Sequence, residues 1–403
     1  MNPLSHSVTL AETGSGRILR MSAIRKVDFS VVHPVRPVFD LRESTLADLA
    51  GSRPVLLLAD SNVTELYGRA WRRYAERRLN FRGELSLSLS EHSKAWPQVD
   101  AICAHAARCG FPRNGLMVAI GGGVTLDTVG FAASVFRRGI GYVRIPTTLV
   151  GLADVAVGIK QAVNAHGKKN LIGAFHPPVA SINDYRFLRT LPASEIACGM
   201  AEIVKMALLR DASLFSALEK HGRELVFSRF RSPAKTAENV ALRSELLMMQ
   251  ELAPNLFERQ HARLVDFGHT FSPVIETLSD YQVQHGQAVA LDMLLSLSIA
   301  VQRRLANISL FGRLRALLFQ LGLPVWHETV ANTDALVRAI EEAKRHRGGS
   351  LNLVTITHPG RPVFLSEVSK SELDSAGEML RAEIPISDVS SCSDFQNYAR
   401  AAV

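Results

Sequence analysis

The 403-residue sequence holds only four cysteines, Cys103, Cys109, Cys198 and Cys392, and none of them stands in a Cys-x-x-Cys pair. Such spacing excludes a disulfide scaffold and suits free thiols in a reducing compartment, so a cytoplasmic protein is expected. Nowhere do about 18 apolar residues run without interruption, and no membrane span is expected. A long apolar stretch after the first basic residues is also missing, which argues against a secretory signal. Acidic residues are the minority charge: 38 Asp and Glu face 46 Lys and Arg, a formal net charge of +8. The excess is diffuse. Even the arginine-dense stretch from Arg69 to Arg82 is broken by apolar residues, as a solvated helix face is. No nucleic-acid-binding motif accompanies the charge, so no nucleic-acid partner is expected; a phosphorylated small molecule suits it as well.

What is present is ordinary globular composition, 47% hydrophobic and 21% charged, in a chain long enough for two cores. Short apolar runs alternate with helical patterns through the first half. Strands are predicted near 26–32, 54–60, 83–89, 116–120 and 142–145, with helices over 66–79, 97–109 and 125–136. That alternation predicts an α/β nucleotide-binding domain with a mostly parallel sheet, over about 21–190. Beyond Leu191 long helical patterns dominate: 193–210, 212–221, 234–252, 269–278, 286–305, 309–321 and 332–344. Two short strands are expected near 351–356 and 363–365. The second domain, 191–385, therefore reads as mainly α-helical. Residues 1–20 read as a loose leader and 386–403 as a mobile tail.

Gly121-Gly122-Gly123-Val124-Thr125-Leu126-Asp127 follows a strand and opens a helix. Glycines let a backbone approach a pyrophosphate, and a helix N-terminus offers free N–H groups. The run is not a G-x-G-x-x-G fingerprint, and a ligand-free tight turn has the same appearance. Asp60, at the end of an earlier strand, suits a ribose but equally suits a helix cap. Asn62, Glu91 and Lys94 fall at later loop positions that border the same place. A second cluster comprises Arg144, Thr147, Thr148, Asp154, Lys160, Asn164, Lys168, Lys169 and Asn170. It suits a phosphorylated, hydroxyl-rich substrate, or simply a solvated basic loop.

Two histidines, His269 and His285, each adjoin a glycine, and Glu202 lies inside an apolar helical run. Each histidine alone serves as readily as a helix cap, and Lys205 one turn beyond Glu202 supplies a plain ion-pair partner. Together, one carboxylate and two imidazoles form the donor set of an open catalytic zinc site.

These segments, taken in order, resemble one family. They are Gly121-Gly122-Gly123-Val124-x-x-Asp127, Arg137-Arg138-Gly139, Pro146-Thr147-Thr148-Leu149, Asp154, Gly158-x-Lys160, Lys169-Asn170-x-x-Gly173-Ala174, Thr190-Leu191-Pro192, Gly199-x-Ala201-Glu202-x-x-Lys205, Gly268-His269-Thr270-Phe271 and His285-Gly286. The match, from about residue 50 to 370, resembles the sugar phosphate cyclases, a group that includes dehydroquinate synthase. The resemblance implies an NAD- and zinc-dependent enzyme, with cobalt an alternative ion, acting on a phosphorylated heptulose as a homodimer. By matched position it implies metal ligands Glu202, His269 and His285. NAD would be lined by Gly121, Gly122, Gly123, Asp127, Thr147, Thr148 and Lys169, with Asp60, Asn62, Glu91 and Lys94 at its adenosine end. Arg138, Asp154, Lys160, Asn170, Lys205 and Arg263 would surround substrate.

Departures from the pattern carry their own information. Dehydroquinate synthases share Asn-Leu-Gly-His-Thr-Phe-Gly-His; here the asparagine is Asp266 and the last histidine is Pro273. Two lysines of that subgroup are replaced, one near His346 and one at Leu252. Those positions belong beside the substrate carboxylate, so the resemblance implies a substrate without one. The pattern is most similar to the 2-epi-5-epi-valiolone synthases, which cyclise sedoheptulose 7-phosphate by transient oxidation, β-elimination of phosphate, re-reduction and intramolecular aldol closure. Asp266 and His346 would orient the hydroxymethyl end. Gln287 replaces an expected glutamate, with no effect legible from sequence. The competing readings are a related cyclase (2-epi-valiolone, desmethyl-4-deoxygadusol or 3-dehydroquinate synthase), a metal-dependent polyol dehydrogenase, and a non-catalytic relative.

Overall fold

The structure, a computed structural model, describes residues 6–13, 16–23, 26–346 and 348–382. It opens on an antiparallel pair, β1 (His6–Thr13) and β2 (Gly16–Ala23). Where residues 1–20 are described, strands stand in place of the expected loose leader. Ser7-Val8-Thr9-Leu10 and Ile18-Leu19-Arg20-Met21 carry strand-forming residues on either side of a Gly-Ser pair, a hairpin composition.

From residue 30 strands and helices alternate: β3 (Ser30–Val32), α1 (Thr45–Ala50), β4 (Pro54–Asp60), α2 (Ser61–Arg78), β5 (Asn80–Leu87), α3 (Trp96–Arg108), β6 (Leu116–Gly121), α4 (Gly123–Val135), β7 (Gly141–Pro146), α5 (Leu149–Ala153), β8 (Lys160–Ala165), β9 (Lys168–Phe175) and β10 (Ala180–Ile182). Six of the strands form one parallel sheet in the order β3-β10-β7-β6-β4-β5. The central strands are apolar on both faces because helices cover both. Val55, Leu57, Val118 and Ile120 pack with Trp71 and Tyr74 on one side. Leu56, Leu58, Met117 and Ala119 pack with Ile102, Phe111 and Leu126 on the other. Burial on both faces is why these strands read as continuous apolar runs rather than alternating ones.

The chain leaves β4 toward the β5 edge, then returns to the other side of β4 for β6, β7 and β10. The crevice beyond the carboxyl ends of β4 and β6 is therefore the topological switch point, where open parallel sheets bind ligands. Asp60 ends one of these strands and Gly121 the other.

The basic stretch expected as a loop between Lys160 and Asn170 is instead the hairpin β8–β9. His166 and Gly167 take φ of 51° and 71° between its strands, the double positive φ of a tight hairpin turn. His-Gly is a weaker turn signal than Asn-Gly, and the lysines masked the alternation.

The remainder is mostly helical: α6 (Ala193–Arg210), α7 (Ala212–Phe227), α8 (Ala234–Leu252), α9 (Ser272–Leu278), α10 (His285–Gln302), α11 (Ile308–Gln320), α12 (Thr333–His346) and α13 (Lys370–Arg381), with the antiparallel pair β11 (Leu353–His358) and β12 (Arg361–Leu365). Helices α6 and α10 run through the middle of this part. Residues 196–209 of α6 are all buried, and so is nearly all of α10. A helix surrounded on every side has to be apolar all round, so the charges of Glu202 and Lys205 inside α6 demand an explanation. The expected tail, 386–403, lies outside the described residues.

Candidate active site

A cleft of about 740 Å³ opens at the switch point, between the sheet and the helical part. Its floor is the glycine turn. Gly122 caps α4 without any side-chain hydrogen bond to the first helical N–H groups. Those donors, with the positive end of the helix dipole, remain available to an anion such as a pyrophosphate. Of the residues expected to line a dinucleotide, Asp60, Asn62, Glu91, Lys94, Gly122, Gly123, Asp127, Thr147, Thr148 and Lys169 all border this cleft. Gly121 ends β6 immediately beneath. Asp60 also does the plainer job: its Oδ1 accepts from the backbone N–H of Asn62 and Val63, capping α2. Asn62 lies in the first turn of that helix rather than in a loop. Lys94 is buried and donates to Asp127 and to Asn170, each at 2.7 Å, so it ties the β8–β9 hairpin to α4.

His285 borders the same cleft, and Glu202 and His269 stand close to it. Glu202, His269 and His285 bring one ligand atom each to within 4.8 Å of one another. Glu202 Oε1 is 3.6 Å from His269 Nε2 and 3.4 Å from His285 Nε2. Neither histidine is a cap. Helix α9 begins three residues after His269, and the N-cap of α10 is Gln284, one residue before His285.

The flanking glycines have steric reasons. A Cβ on Gly286 would lie 2.1 Å from the Cys198 carbonyl oxygen, so its absence lets the start of α10 touch α6. Gly268 holds φ of 76°, and a Cβ there would meet Val289 at 2.9 Å. Both histidines are thereby pressed toward Glu202.

The electrostatics suit a cation. Glu202 is sealed from solvent, and neither of its oxygens accepts a well-aligned hydrogen bond, although Lys205 Nζ stands 2.5 Å from Oε2. An acid so buried and so little satisfied is costly unless positive charge faces it. Burial, reinforced by the Lys205 ammonium, lowers His269 to about 4, which keeps it neutral and able to offer a lone pair. Burial also opposes a charge on His285, but the Glu276 and Glu202 carboxylates outweigh it and raise that group to about 9. A neutral imidazole, a second imidazole between two carboxylates and an under-bonded acid fit a divalent ion of the zinc type. A metal competes with the proton on such a ring.

The substrate-side expectations divide. Asp154 and Asn170 border the cleft, and Lys205 lies 4.0 Å from Asp154. Lys160 and Arg263 converge, but on an acid the sequence reading missed: Glu258 Oε1 is 3.0 Å from Lys160 Nζ and also contacts Arg263 Nη1. Arg263 further pairs with buried Asp266 at 2.6 Å. Arg138 is not brought to the cluster. It lies in an exposed turn past the C-terminal end of α4, roughly 20 Å along that helix from the glycine turn. His346 closes α12, and its side chain lies outside the described residues. Pro273 is exposed in the first turn of α9, where proline favours helix initiation.

One further residue escaped the sequence reading, and another, Gln287, was noticed there without a role. Glu276 on α9 is buried against His285; its apolar neighbours made it look like a plain helical position. Gln287 completes a capping box, its Oε1 accepting from the Gln284 N–H at 2.9 Å. Glutamate would make the same bond, so this exchange leaves the start of α10 intact.

Comparison with known proteins follows the same lines. The chain matches 3-dehydroquinate synthase N-terminal over residues 84–198 and 3-dehydroquinate synthase C-terminal over 199–346. It is 43% identical to a 2-epi-5-epi-valiolone synthase of Streptomyces glaucescens, over 86% of this chain and 88% of the relative. A demethyl-4-deoxygadusol synthase of Trichormus variabilis is 34% identical over 87% of each chain. Among solved structures, ValA, a 2-epi-5-epi-valiolone synthase from Streptomyces hygroscopicus subsp. jinggangensis 5008 with NAD+ and Zn2+ bound, superposes with a TM-score of 0.85. It is 37% identical, covering 90% of this chain and 99% of that one.

Proposed function

The chain belongs to the 3-dehydroquinate synthase family, and on that basis we propose that it is a sugar phosphate cyclase converting sedoheptulose 7-phosphate to 2-epi-5-epi-valiolone with release of phosphate. The carrying observation is that one cleft joins the uncapped glycine turn of α4 to the wall formed by His285 and Glu276. A dinucleotide and a metal held there would meet at one substrate.

Glu202, His269 and His285 hold a zinc ion, or cobalt in its place, and the glycine turn with Thr147, Thr148 and Lys169 holds NAD. When bound, these groups supply Lewis-acid polarisation of a substrate oxygen and reversible hydride acceptance. Lys205, anchored by Glu202 and 4.0 Å from Asp154, places a permanent positive charge beside the reacting carbons. Burial lowers its pKa, but Glu202 and Asp154 outweigh that and leave it raised, which suits an electrostatic clamp. Lys160, Asn170 and Lys205 receive the phosphate and stabilise it as it leaves. Asp266, buried and paired with Arg263, faces the end of the sugar that carries a hydroxymethyl group. An acid there accepts a hydrogen bond from a hydroxyl and repels a carboxylate, which favours this substrate over a heptulosonate. A homodimer and a cytoplasmic location accompany the reading; among the described residues no helix is long and apolar enough to cross a membrane.

The test is direct. Purified protein with sedoheptulose 7-phosphate, NAD and zinc should release phosphate and give a cyclitol that NMR identifies as 2-epi-5-epi-valiolone. A different stereoisomer, or desmethyl-4-deoxygadusol, reassigns the product within the family. Phosphate release from a heptulosonate 7-phosphate alone overturns the substrate assignment.

A further inference from the structure

His285 opens α10, where its ring is free to present either nitrogen to the cleft. Two groups decide which. Glu202 Oε1 lies 3.4 Å from Nε2, and Glu276 Oε1 lies 3.1 Å from Nδ1. Glu276 is almost fully buried, and its other oxygen, Oε2, accepts from Lys169 Nζ at 2.5 Å. Lys169 reaches across from β9, so the chain Lys169–Glu276–His285 spans the cleft from the sheet part to the helical part. His269 is held differently: its Nδ1 faces the neutral Phe267 carbonyl oxygen at 3.0 Å.

We propose that Glu276 is the positioning residue of the metal centre, holding the His285 ring by Nδ1 so that Nε2 is turned to the metal, and that Lys169 is the counter-ion that holds this carboxylate in place. The inference rests on the metal assignment made above. A ligating histidine gains basicity and a single tautomer from a carboxylate on its far nitrogen. An unpaired carboxylate at this depth is strongly disfavoured, and Lys169 removes that penalty. Lys169 therefore has two duties, one to the dinucleotide and one to the metal wall. No such lever acts on His269, whose orienting partner is main chain.

Zinc affinity, read by competition with a chromophoric chelator, separates the possibilities without reference to turnover. Glu276→Gln keeps the shape and removes the charge, and it should weaken zinc roughly 10- to 100-fold. NAD affinity, read by fluorescence titration, should stay within about twofold. Lys169→Gln should weaken both, zinc by the smaller factor. With cobalt in place of zinc, the visible spectrum of Glu276→Gln should change in band position or intensity, a signature that a merely structural role leaves alone. Glu276→Asp, still charged but one methylene shorter, should recover part of the affinity. Zinc affinity within twofold of wild type in Glu276→Gln, with an unaltered cobalt spectrum, overturns the proposal. If Glu276→Gln fails to fold, Lys169→Gln and Glu276→Asp decide it: zinc affinity unchanged in both overturns it. Wild-type protein that binds zinc but forms another cyclitol removes the product assignment and leaves this inference standing. Wild-type protein that binds no zinc removes both.

Discussion

Gly286→Ala isolates the claim that close helix contact builds the metal centre. The added Cβ would lie 2.1 Å from the Cys198 carbonyl oxygen and 2.4 Å from Cys198 Cα, both main-chain atoms that no rotamer change can move. Ordinary contact begins near 3.4 Å, so the first turn of α10 must retreat by about 1.3 Å from α6. His285 stands next in the chain, and Glu202 lies one turn beyond Cys198 on α6. The retreat therefore separates two of the three candidate ligands directly. Overpacking of this kind costs about 1–3 kcal/mol of stability. Zinc sites tolerate only about 0.2 Å of error in ligand distance, so the larger loss falls on metal binding. A misplacement near 1 Å at a reacting centre costs on the order of 100-fold in rate.

The assay pairs thermal unfolding of the chelated protein with zinc competition on the same sample. Gly286→Ala should melt earlier and bind zinc at least tenfold more weakly. Gly312→Ala is the control: it lies in α11, and nothing stands within 4 Å of the added Cβ. It should be neutral or stabilising by about 0.4–1 kcal/mol. If Gly286→Ala keeps wild-type melting and zinc affinity, the steric account of that glycine is wrong.

Three other outcomes follow from the structure. Asp266→Asn should lower kcat/KM for sedoheptulose 7-phosphate while leaving zinc and NAD affinity unchanged; unchanged turnover and product would remove the argument that this acid selects the hydroxymethyl end. Burial raises Asp292 to about 6, against the hydrogen bonds it accepts from the N–H groups of Phe271 and Ser272. The unfolded chain then loses its proton first, so this group's contribution to stability falls as pH rises from about 4 through 6; Asp292→Asn should flatten the melting temperature across that window, and an equally steep curve in the variant would refute it. Glu258→Gln should lower KM for the phosphorylated substrate about two- to fivefold, since the freed cations are worth up to about 1 kcal/mol, and the gain should shrink with salt; an unchanged or higher KM at low ionic strength counts against it.

Legibility in the sequence followed the physics of each signal. Helix α8 and strand β4 are found at the expected limits, because caps, proline and continuous apolar runs act locally. The glycine turn and the Glu202, His269, His285 set were legible because the chemistry restricts residue type. The β8–β9 hairpin was not, since its alternation is spread over lysines and asparagines and its turn is His-Gly. Glu276 was invisible for another reason: a buried acid in a short helix looks like any solvated one until its partners, Lys169 and His285, arrive from distant segments. The role of Gln287 was hidden because a capping box is defined by main-chain geometry at a boundary that sequence places only to within a few residues.

The cations proposed to serve the site are nearly all paired with acids. Lys94 is taken by Asp127, Lys169 by Glu276, Lys205 by Glu202, and Lys160 with Arg263 by Glu258 and Asp266. Most of these acids are buried and fixed on helices or beside them, so their cations are positioned and not freely available. Glu258 differs. It lies between α8 and α9 with a φ of 53°, and about a fifth of its side chain is exposed. It bridges Lys160 and Arg263, and on the proposed reading it is the acid that an incoming phosphate would displace at least cost. Asp266, by contrast, is buried and keeps its own hold on Arg263. On the proposed reading, a carboxylate brought to Asp266, as on a heptulosonate, would meet a buried acid that already holds Arg263, which disfavours it.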